Sequence, residues 1–351
     1  MENLNSVIRR IETIDYNMMK KAQARLDSLT KPQGSLGRLE ELAKRIVGIT
    51  WNLNPSLGNK VIVTMAGDHG VVEEGVSAYP QEVTAQMVYN FVRGGAGINV
   101  FARHIGAHVV IVDMGVAEDL RIKSEGLKIK KINYGTRNFT KGPAMTRDEA
   151  VRSIEAGIEV VEEIGKVDIL GIGDMGIGNT TPSSAIIASF SGLNVRALTG
   201  RGTGIDDKIF RRKVEVIEKA LSVNQPNPRD PIDVLAKVGG FEIGGLAGCV
   251  IGAAVLKIPI ILDGFISTAG ALIATELAPV TKEYIIASHS SKEVGHKIML
   301  KRMGLSPLFD LELRLGEGTG AALGISLAEV SIKILMEMAT FTGAGVSERK
   351  K

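Results

Sequence analysis

Five short runs of β-branched and aliphatic residues recur along this chain, and each closes on a small or acidic loop. Val61-Ile62-Val63-Thr64-Met65 leads into Ala66-Gly67-Asp68-His69-Gly70, and Val109 to Val112 leads into Asp113-Met114-Gly115. Asp168 to Leu170 leads into Gly171-Ile172-Gly173-Asp174, Ile258 to Leu262 into Asp263-Gly264, and Tyr284 to Ala287 into Ser288-His289-Ser290. Helical patterns separate most of them. Apolar runs without alternation, spaced by helices, specify an α/β protein whose parallel sheet is covered on both faces. Ligands of such sheets bind outside the carboxyl ends of the strands. Asp68, Asp113, Asp174, Asp263 and His289 are therefore expected on one rim.

The flanks have a different rhythm. Asn3 to Leu29 repeats at helical spacing through Val7, Ile8, Ile11, Ile14, Met18 and Met19, until Lys31-Pro32-Gln33-Gly34 breaks it. Ser35 is placed to cap a second helix reaching about Thr50. A third apolar helix is expected from about Gly320 to Thr342. Residues 1–55 and 320–351 are thus expected to form a small helical domain, with 56–319 as a large α/β substrate-binding domain. A length of 351 residues accommodates this.

The bulk numbers exclude several function classes. Forty-two basic and 39 acidic residues leave a net charge of +3, and the Arg349-Lys350-Lys351 tail reads as a frayed end. Aromatic content of 4% leaves little to stack bases, so no nucleic-acid partner is expected. The single cysteine, Cys249, sits among small apolar residues and reads as a core residue in a reducing compartment. Met1 to Lys20 has no apolar signal core. Ile243 to Leu256 falls short of the ~20 residues a membrane span needs, and Met175 to Val195, though uncharged, carries Gly, Asn, Thr, Ser and Pro. A cytoplasmic protein without a membrane span is expected.

Two glycine loops can hold a phosphate. Gly171-Ile172-Gly173-Asp174-Met175-Gly176 matches a dinucleotide fingerprint, which also wants an acidic residue about 20 positions on. None occurs between Asp174 and Asp206, so a nicotinamide-dependent oxidoreductase ranks below a phosphate loop. Gly176-Ile177-Gly178-Asn179-Thr180-Thr181-Pro182 enters a helix with Pro182 at the first helical position, and N–H groups there can bind an anion. Gly200-Arg201-Gly202-Thr203-Gly204 precedes a basic helix with Lys208, Arg211, Arg212 and Lys213, of which one can neutralise the same phosphate. Asp206-Asp207 suits that helix's dipole. The Walker pattern and the phosphoribosyl-pyrophosphate loop are both absent. Of the five histidines, His104 and His108 are four apart but separated by Gly106, so no metal site and no cofactor are expected.

Arg314-Leu315-Gly316-Glu317-Gly318 places one carboxylate between glycines, immediately before an apolar helix. A carboxylate buried there can have its pKa raised and act as a general base. Taken alone, the segment reads equally as a helix N-terminus where Glu serves the dipole.

Longer strings carry a resemblance. Lys31-Pro32-Gln33-Gly34-Ser35-Leu36-Gly37-Arg38-Leu39-Glu40 is one, and Ala66-Gly67-Asp68-His69-Gly70-Val71 with Gly75-Val76 and Pro80 through Val83-Thr84 is another. A third is Asn224-Gln225-Pro226-Asn227-Pro228-Arg229-Asp230, followed by Ile232-Asp233-Val234-Leu235 and Lys237-Val238-Gly239-Gly240-Phe241. With Leu262-Asp263-Gly264-Phe265 and Arg314 to Gly318, these resemble the nicotinate-nucleotide:dimethylbenzimidazole phosphoribosyltransferase family from about Lys20 to Ala339. The resemblance implies a Rossmann-like sheet with a small helical domain from both termini, and a homodimer. Gly/Ala-rich helices such as Gly244 to Val255 would allow close subunit packing. It implies transfer of the 5-phosphoribosyl group of nicotinate mononucleotide to 5,6-dimethylbenzimidazole, in assembly of the cobalamin lower ligand. The reaction inverts the anomeric carbon, with Glu317 as base and no metal. Gly176 and Lys213 would hold phosphate, with Ser290 and Ser291 as further candidates. Asp174, Met175, Arg314, Leu315 and Gly316 complete the expected substrate contacts.

Two positions depart from the family. Asp174 stands where many relatives carry Glu, one methylene longer, which predicts a lost or water-mediated substrate contact. Tyr79 and Met87, on the segment matching the acceptor pocket, replace a small hydroxyl and an amide of some relatives, so adenine or phenolic acceptors compete with dimethylbenzimidazole as expectations. A non-catalytic ribotide-binding protein is the alternative of a different class. Glu317 in its glycine setting favours the enzyme, since a binder has no need of a base.

Overall fold

The computed structural model describes residues 4–202 and 204–347, so Thr203 and the Arg349-Lys350-Lys351 tail lie outside the described residues. Among these residues six strands form one parallel sheet. They are β1 (Lys60–Gly67), β2 (His108–Gly115), β3 (Leu127–Ile129), β4 (Ile169–Met175), β5 (Ile260–Leu262) and β6 (Ile285–Ala287). The order β3-β2-β1-β4-β5-β6 reverses direction between β1 and β4. The α/β, Rossmann-like expectation is met. Only β3 was not anticipated: an edge strand of three half-exposed or exposed residues has no reason to be a continuous apolar run.

Successive side chains of β1 enter different cores because a strand alternates its faces. Val61, Val63 and Met65 join one cluster with the helices Arg147–Glu163, Phe241–Val255 and Phe265–Leu277. Ile62 and Ala66 join another with the helices Arg38–Thr50, Val83–Val92, Gly97–Ile105 and Thr319–Glu337.

The helix Phe241–Val255 is buried over nearly its whole length, and its small residues have an internal partner. A Cβ on Gly157 would lie 2.0 Å from the Gly245 carbonyl oxygen, and one on Gly248 would lie 2.0 Å from that of Ile154. Gly244 to Val255 therefore packs against Arg147–Glu163 inside the chain, and its glycines give no support to subunit packing. Cys249 is buried there, as expected.

The terminal segments meet. Leu29 bridges Thr340, and the Thr30 N–H donates to the Ala339 carbonyl at 3.0 Å. The first expected helix is two, Leu4–Arg9 and Tyr16–Asp27, because Asp15 accepts the N–H groups of Asn17 and Met18 and starts a new one. Gly37, with φ of 51°, precedes the next helix in place of Ser35. The last long helix stops at Glu337, short of Thr342. Its 19 residues are long and apolar enough to cross a membrane by length and composition, yet over half of that window is buried in the fold. Core burial accounts for its apolarity.

Candidate active site

The reversal between β1 and β4 opens a crevice beyond their carboxyl ends, where ligands of such sheets bind. The turn carrying Glu317 lies directly on β4. A Cβ on Gly173 would be 2.2 Å from the Gly318 nitrogen, so only glycine admits this approach. Gly316, Glu317 and Gly318 all have positive φ, 84°, 64° and 101°. Held in that region, a non-glycine residue costs roughly 1–3 kcal/mol, which the surroundings must offset. They do so with four hydrogen bonds. The Thr64 hydroxyl donates to the Glu317 carbonyl at 2.8 Å, and the Glu317 N–H donates to the Asp174 carbonyl at 3.2 Å. Asp263 accepts from the N–H groups of Gly318 at 3.0 Å and Gly320 at 2.7 Å.

The Glu317 side chain is 5% exposed, and its Oε2 accepts the Ile98 N–H at 2.9 Å. Ile98 lies in the first turn of Gly97–Ile105, so the carboxylate faces the positive end of that helix. Its own helix begins instead behind Gly318. Burial pushes the Glu317 carboxyl above the ordinary range; the Ile98 N–H opposes this, and neighbouring Asp263 adds to it. A carboxylate so placed is ionisable and has a raised proton affinity, which suits a general base.

Asp174 ends β4 beside it. Its Oδ2 accepts from the Asn179 amide at 2.9 Å and would lie 3.5 Å from a Cβ on Gly316. Burial raises the Asp174 pKa well above the ordinary value, and nearby Asp263, Glu242 and Glu317 push the same way. Glu242 is itself paired with His69 at 2.7 Å, both fully buried. Gly176 has no room for a side chain, since a Cβ would sit 2.3 Å from the Gly67 carbonyl oxygen.

The second glycine loop is joined to the first by a buried lysine. Lys213, 1% exposed, donates to the Thr180 hydroxyl at 2.7 Å and the Gly200 carbonyl at 3.3 Å, tying the two loops together. Burial lowers its pKa to about 8, with Glu293 opposing. Glu293 accepts the Gly202 N–H at 2.8 Å, and Arg314 donates to the Gly202 carbonyl at 3.4 Å. A cavity of about 620 Å³ opens between this loop, Glu293 and Arg314. The other cations of the basic helix serve elsewhere: Arg212 pairs with Glu74, while Arg211 and Lys208 are exposed. Asp206 caps that helix through the Ile209 N–H, as expected. The helix after Gly176 begins at Thr180, so Pro182 is its third residue; the first turn leaves N–H groups unpaired, and proline loses nothing there.

Met87 and Met175 pack into the second-face core, whereas Tyr79 is 51% exposed in the preceding loop. Leu315 is also exposed, its Cδ2 2.9 Å from where a Gly97 Cβ would be. Ser290 and Ser291 are buried, and the Ser291 Cβ lies 3.9 Å from where a Gly264 Cβ would be. The Ser290 N–H donates to the Phe309 carbonyl, and the Ser291 N–H donates to His296 Nδ1 at 3.0 Å. Ile98, Glu242, Glu293 and His296 were not anticipated. Of these, only Glu242 gave a signal: one carboxylate at the start of an otherwise apolar glycine-rich helix.

A phosphoribosyltransferase family model matches residues 11–346. The nicotinate-nucleotide–dimethylbenzimidazole phosphoribosyltransferase of Geobacter sp. (strain M21) is 58% identical over 349 residues, covering 99% of this chain and all of the relative. The protein of the same name from Geotalea uraniireducens (strain Rf4) is 59% identical over 350 residues, 99% of each. A crystal structure of that enzyme from Thermus thermophilus superposes with a TM-score of 0.90 at 44% identity, covering 96% of this chain and all of that one.

Proposed function

The chain belongs to the phosphoribosyltransferase family, and on that premise we propose that it makes α-ribazole 5′-phosphate. It transfers the 5-phosphoribosyl group of nicotinate mononucleotide to 5,6-dimethylbenzimidazole, releases nicotinate, and so serves assembly of the cobalamin lower ligand. Relatives 57–59% identical over almost the whole chain carry this name.

Glu317 is the general base. One benzimidazole nitrogen attacks the anomeric carbon while the other loses its proton to Glu317. The observation that carries this is the buried carboxylate at the sheet reversal, held by the Ile98 N–H yet raised in proton affinity by burial. Attack from the face opposite the departing pyridine inverts the anomeric carbon. Lys213 and the loops at Gly176 and Gly202 hold the phosphate, fixing one end of the nucleotide while Glu317 meets the acceptor at the other. The leaving group is a pyridinium that becomes neutral as it departs, so no developing negative charge calls for a metal ion. A homodimer is proposed on the family resemblance alone.

The test mixes nicotinate mononucleotide and dimethylbenzimidazole with the protein in excess EDTA and follows free nicotinate and the new ribotide by chromatography. Product under these conditions is expected. No product with or without Mg²⁺ would overturn the activity, and product only with Mg²⁺ would overturn metal independence.

A further inference from the structure

A helix begins with N–H groups that have no partner within it. The helix Thr319–Glu337 has glycine at its N-cap, Gly318, which brings no side chain to accept them. Its neighbours are occupied elsewhere: the Glu317 carboxylate accepts from Ile98, and the Thr319 hydroxyl donates to the Gly316 carbonyl at 2.9 Å. The cap comes from another element. Asp263, 1% exposed, accepts the Gly318 N–H on Oδ2 at 3.0 Å and the Gly320 N–H on Oδ1 at 2.7 Å. Two main-chain donors stabilise its anion and engage both oxygens, which makes Asp263 an anchor rather than a base. It follows directly on β5, whose Leu262 pairs with Ile172 of β4 and Ala287 of β6, so it stands on the sheet itself. Gly320 leaves it room: a Cβ there would lie 2.7 Å from Asp263 Oδ1 and 2.2 Å from His289 Cδ2.

Glu317 is the residue immediately before this anchored helix start. Its turn runs through three successive positive φ values and persists only where the surroundings over-determine it. The two bonds to Asp263 fix the turn on the side that follows Glu317, and so fix the direction in which its side chain leaves toward Ile98. We propose that Asp263 is a positioning residue for the transfer: by capping the helix Thr319–Glu337 from outside, it releases Glu317 from that task and holds the Glu317 carboxylate where the acceptor base is deprotonated. The assignment rests on the phosphoribosyl-transfer reading above. Asp263 also acts through its charge. The ionisable groups facing Glu317 are Asp263 from the end of β5 and Asp174 from the end of β4, and His289, after β6, stands 3.6 Å from Asp263 Oδ1. A like charge beside Glu317 favours its neutral form and adds to its proton affinity. Without the Asp263 charge, Glu317 becomes a stronger acid.

Asparagine has the shape of aspartate but one acceptor oxygen and no charge, so one of the two N–H groups loses its partner. Turnover, KM for nicotinate mononucleotide and the pH dependence of kcat are measured for the wild type and Asp263→Asn. The expected kcat of the variant is lower by on the order of 10²-fold, as for a misplaced reacting group, with KM little changed because the phosphate contacts are untouched. In the wild type kcat rises with pH as Glu317 ionises, and the midpoint of that rise should move to lower pH in the variant. A residue that only stabilised the fold would reduce the active fraction and leave the midpoint in place. An unmoved midpoint, or a wild-type kcat, would overturn the proposal. Hydrogen exchange of the wild type needs no variant: the Gly318 and Gly320 amides should exchange as slowly as those inside Thr319–Glu337, and rapid exchange of both would overturn it too. Wild-type protein that made no ribotide would instead refute the transferase reading, on which the exchange result does not depend.

Discussion

Glu317 and Ile98 are 219 residues apart in the chain, yet the Ile98 N–H donates to the Glu317 carboxylate at 2.9 Å. The bond explains how a buried acid can remain ionisable. A helix N-terminus favours its negative form while the surrounding apolar core favours its neutral form, and the balance leaves a raised but usable proton affinity.

Replacing Glu317 by Gln keeps the shape and the bond from Ile98 but removes the capacity to take a proton. Turnover should fall ~10²–10⁴-fold, with little change in nucleotide affinity. Melting temperature is the control for folding. Near wild-type turnover would leave Glu317 as a structural cap of Gly97–Ile105.

Lys213→Ala should act mainly on binding. Loss of one charge-assisted phosphate contact is worth about 1.5–3 kcal/mol, read as a rise in KM for nicotinate mononucleotide. The Lys213 pKa of about 8 adds a pH dependence. The ammonium form binds the phosphate, so affinity should weaken as pH rises above about 8, and the variant should lack that dependence. An unchanged KM would remove Lys213 from the phosphate site.

His296 predicts acid sensitivity. Its Nδ1 accepts from the Ser291 N–H and its Nε2 meets the Thr268 hydroxyl at 3.0 Å, so the ring is held neutral; burial lowers its pKa to about 3. On acidification the unfolded chain takes up this proton near pH 6.5 while the folded one does not. Stability is therefore lost between about pH 6.5 and 3, with about 2 kcal/mol gone from this group at pH 5. Denaturant titrations of wild type and His296→Asn should show a shallower pH slope for the variant. Parallel slopes would contradict the assignment.

Gly157→Ala should destabilise the fold, because the added methyl meets the Gly245 backbone, which has no rotamer to change. Overpacking of this kind costs about 3 kcal/mol. An unchanged melting temperature would show that the helices Arg147–Glu163 and Phe241–Val255 lie farther apart.

Light scattering at micromolar concentration should give twice the 37.4 kDa chain mass. A monomeric mass with full activity at high dilution would refute the proposed homodimer.

Periodicity and residue type determined much of this protein. The strand runs near Val61, Val109, Asp168, Ile258 and Tyr284 were legible because a strand buried on both faces must be apolar throughout, and each run ends where small or polar residues begin. Glu317 was legible because its flanking glycines mark a backbone that residues with a Cβ seldom adopt. The strand Leu127–Ile129 left no such trace, since an edge strand is free of that demand. Tertiary structure alone decided which groups became partners. Whether Glu317 served its own helix or another, whether the glycines of Phe241–Val255 faced a neighbour within the chain, and which of four nearby cations was buried all depend on contacts between distant segments. Such contacts are set by packing and by the need to satisfy buried polar groups, and no local pattern records them.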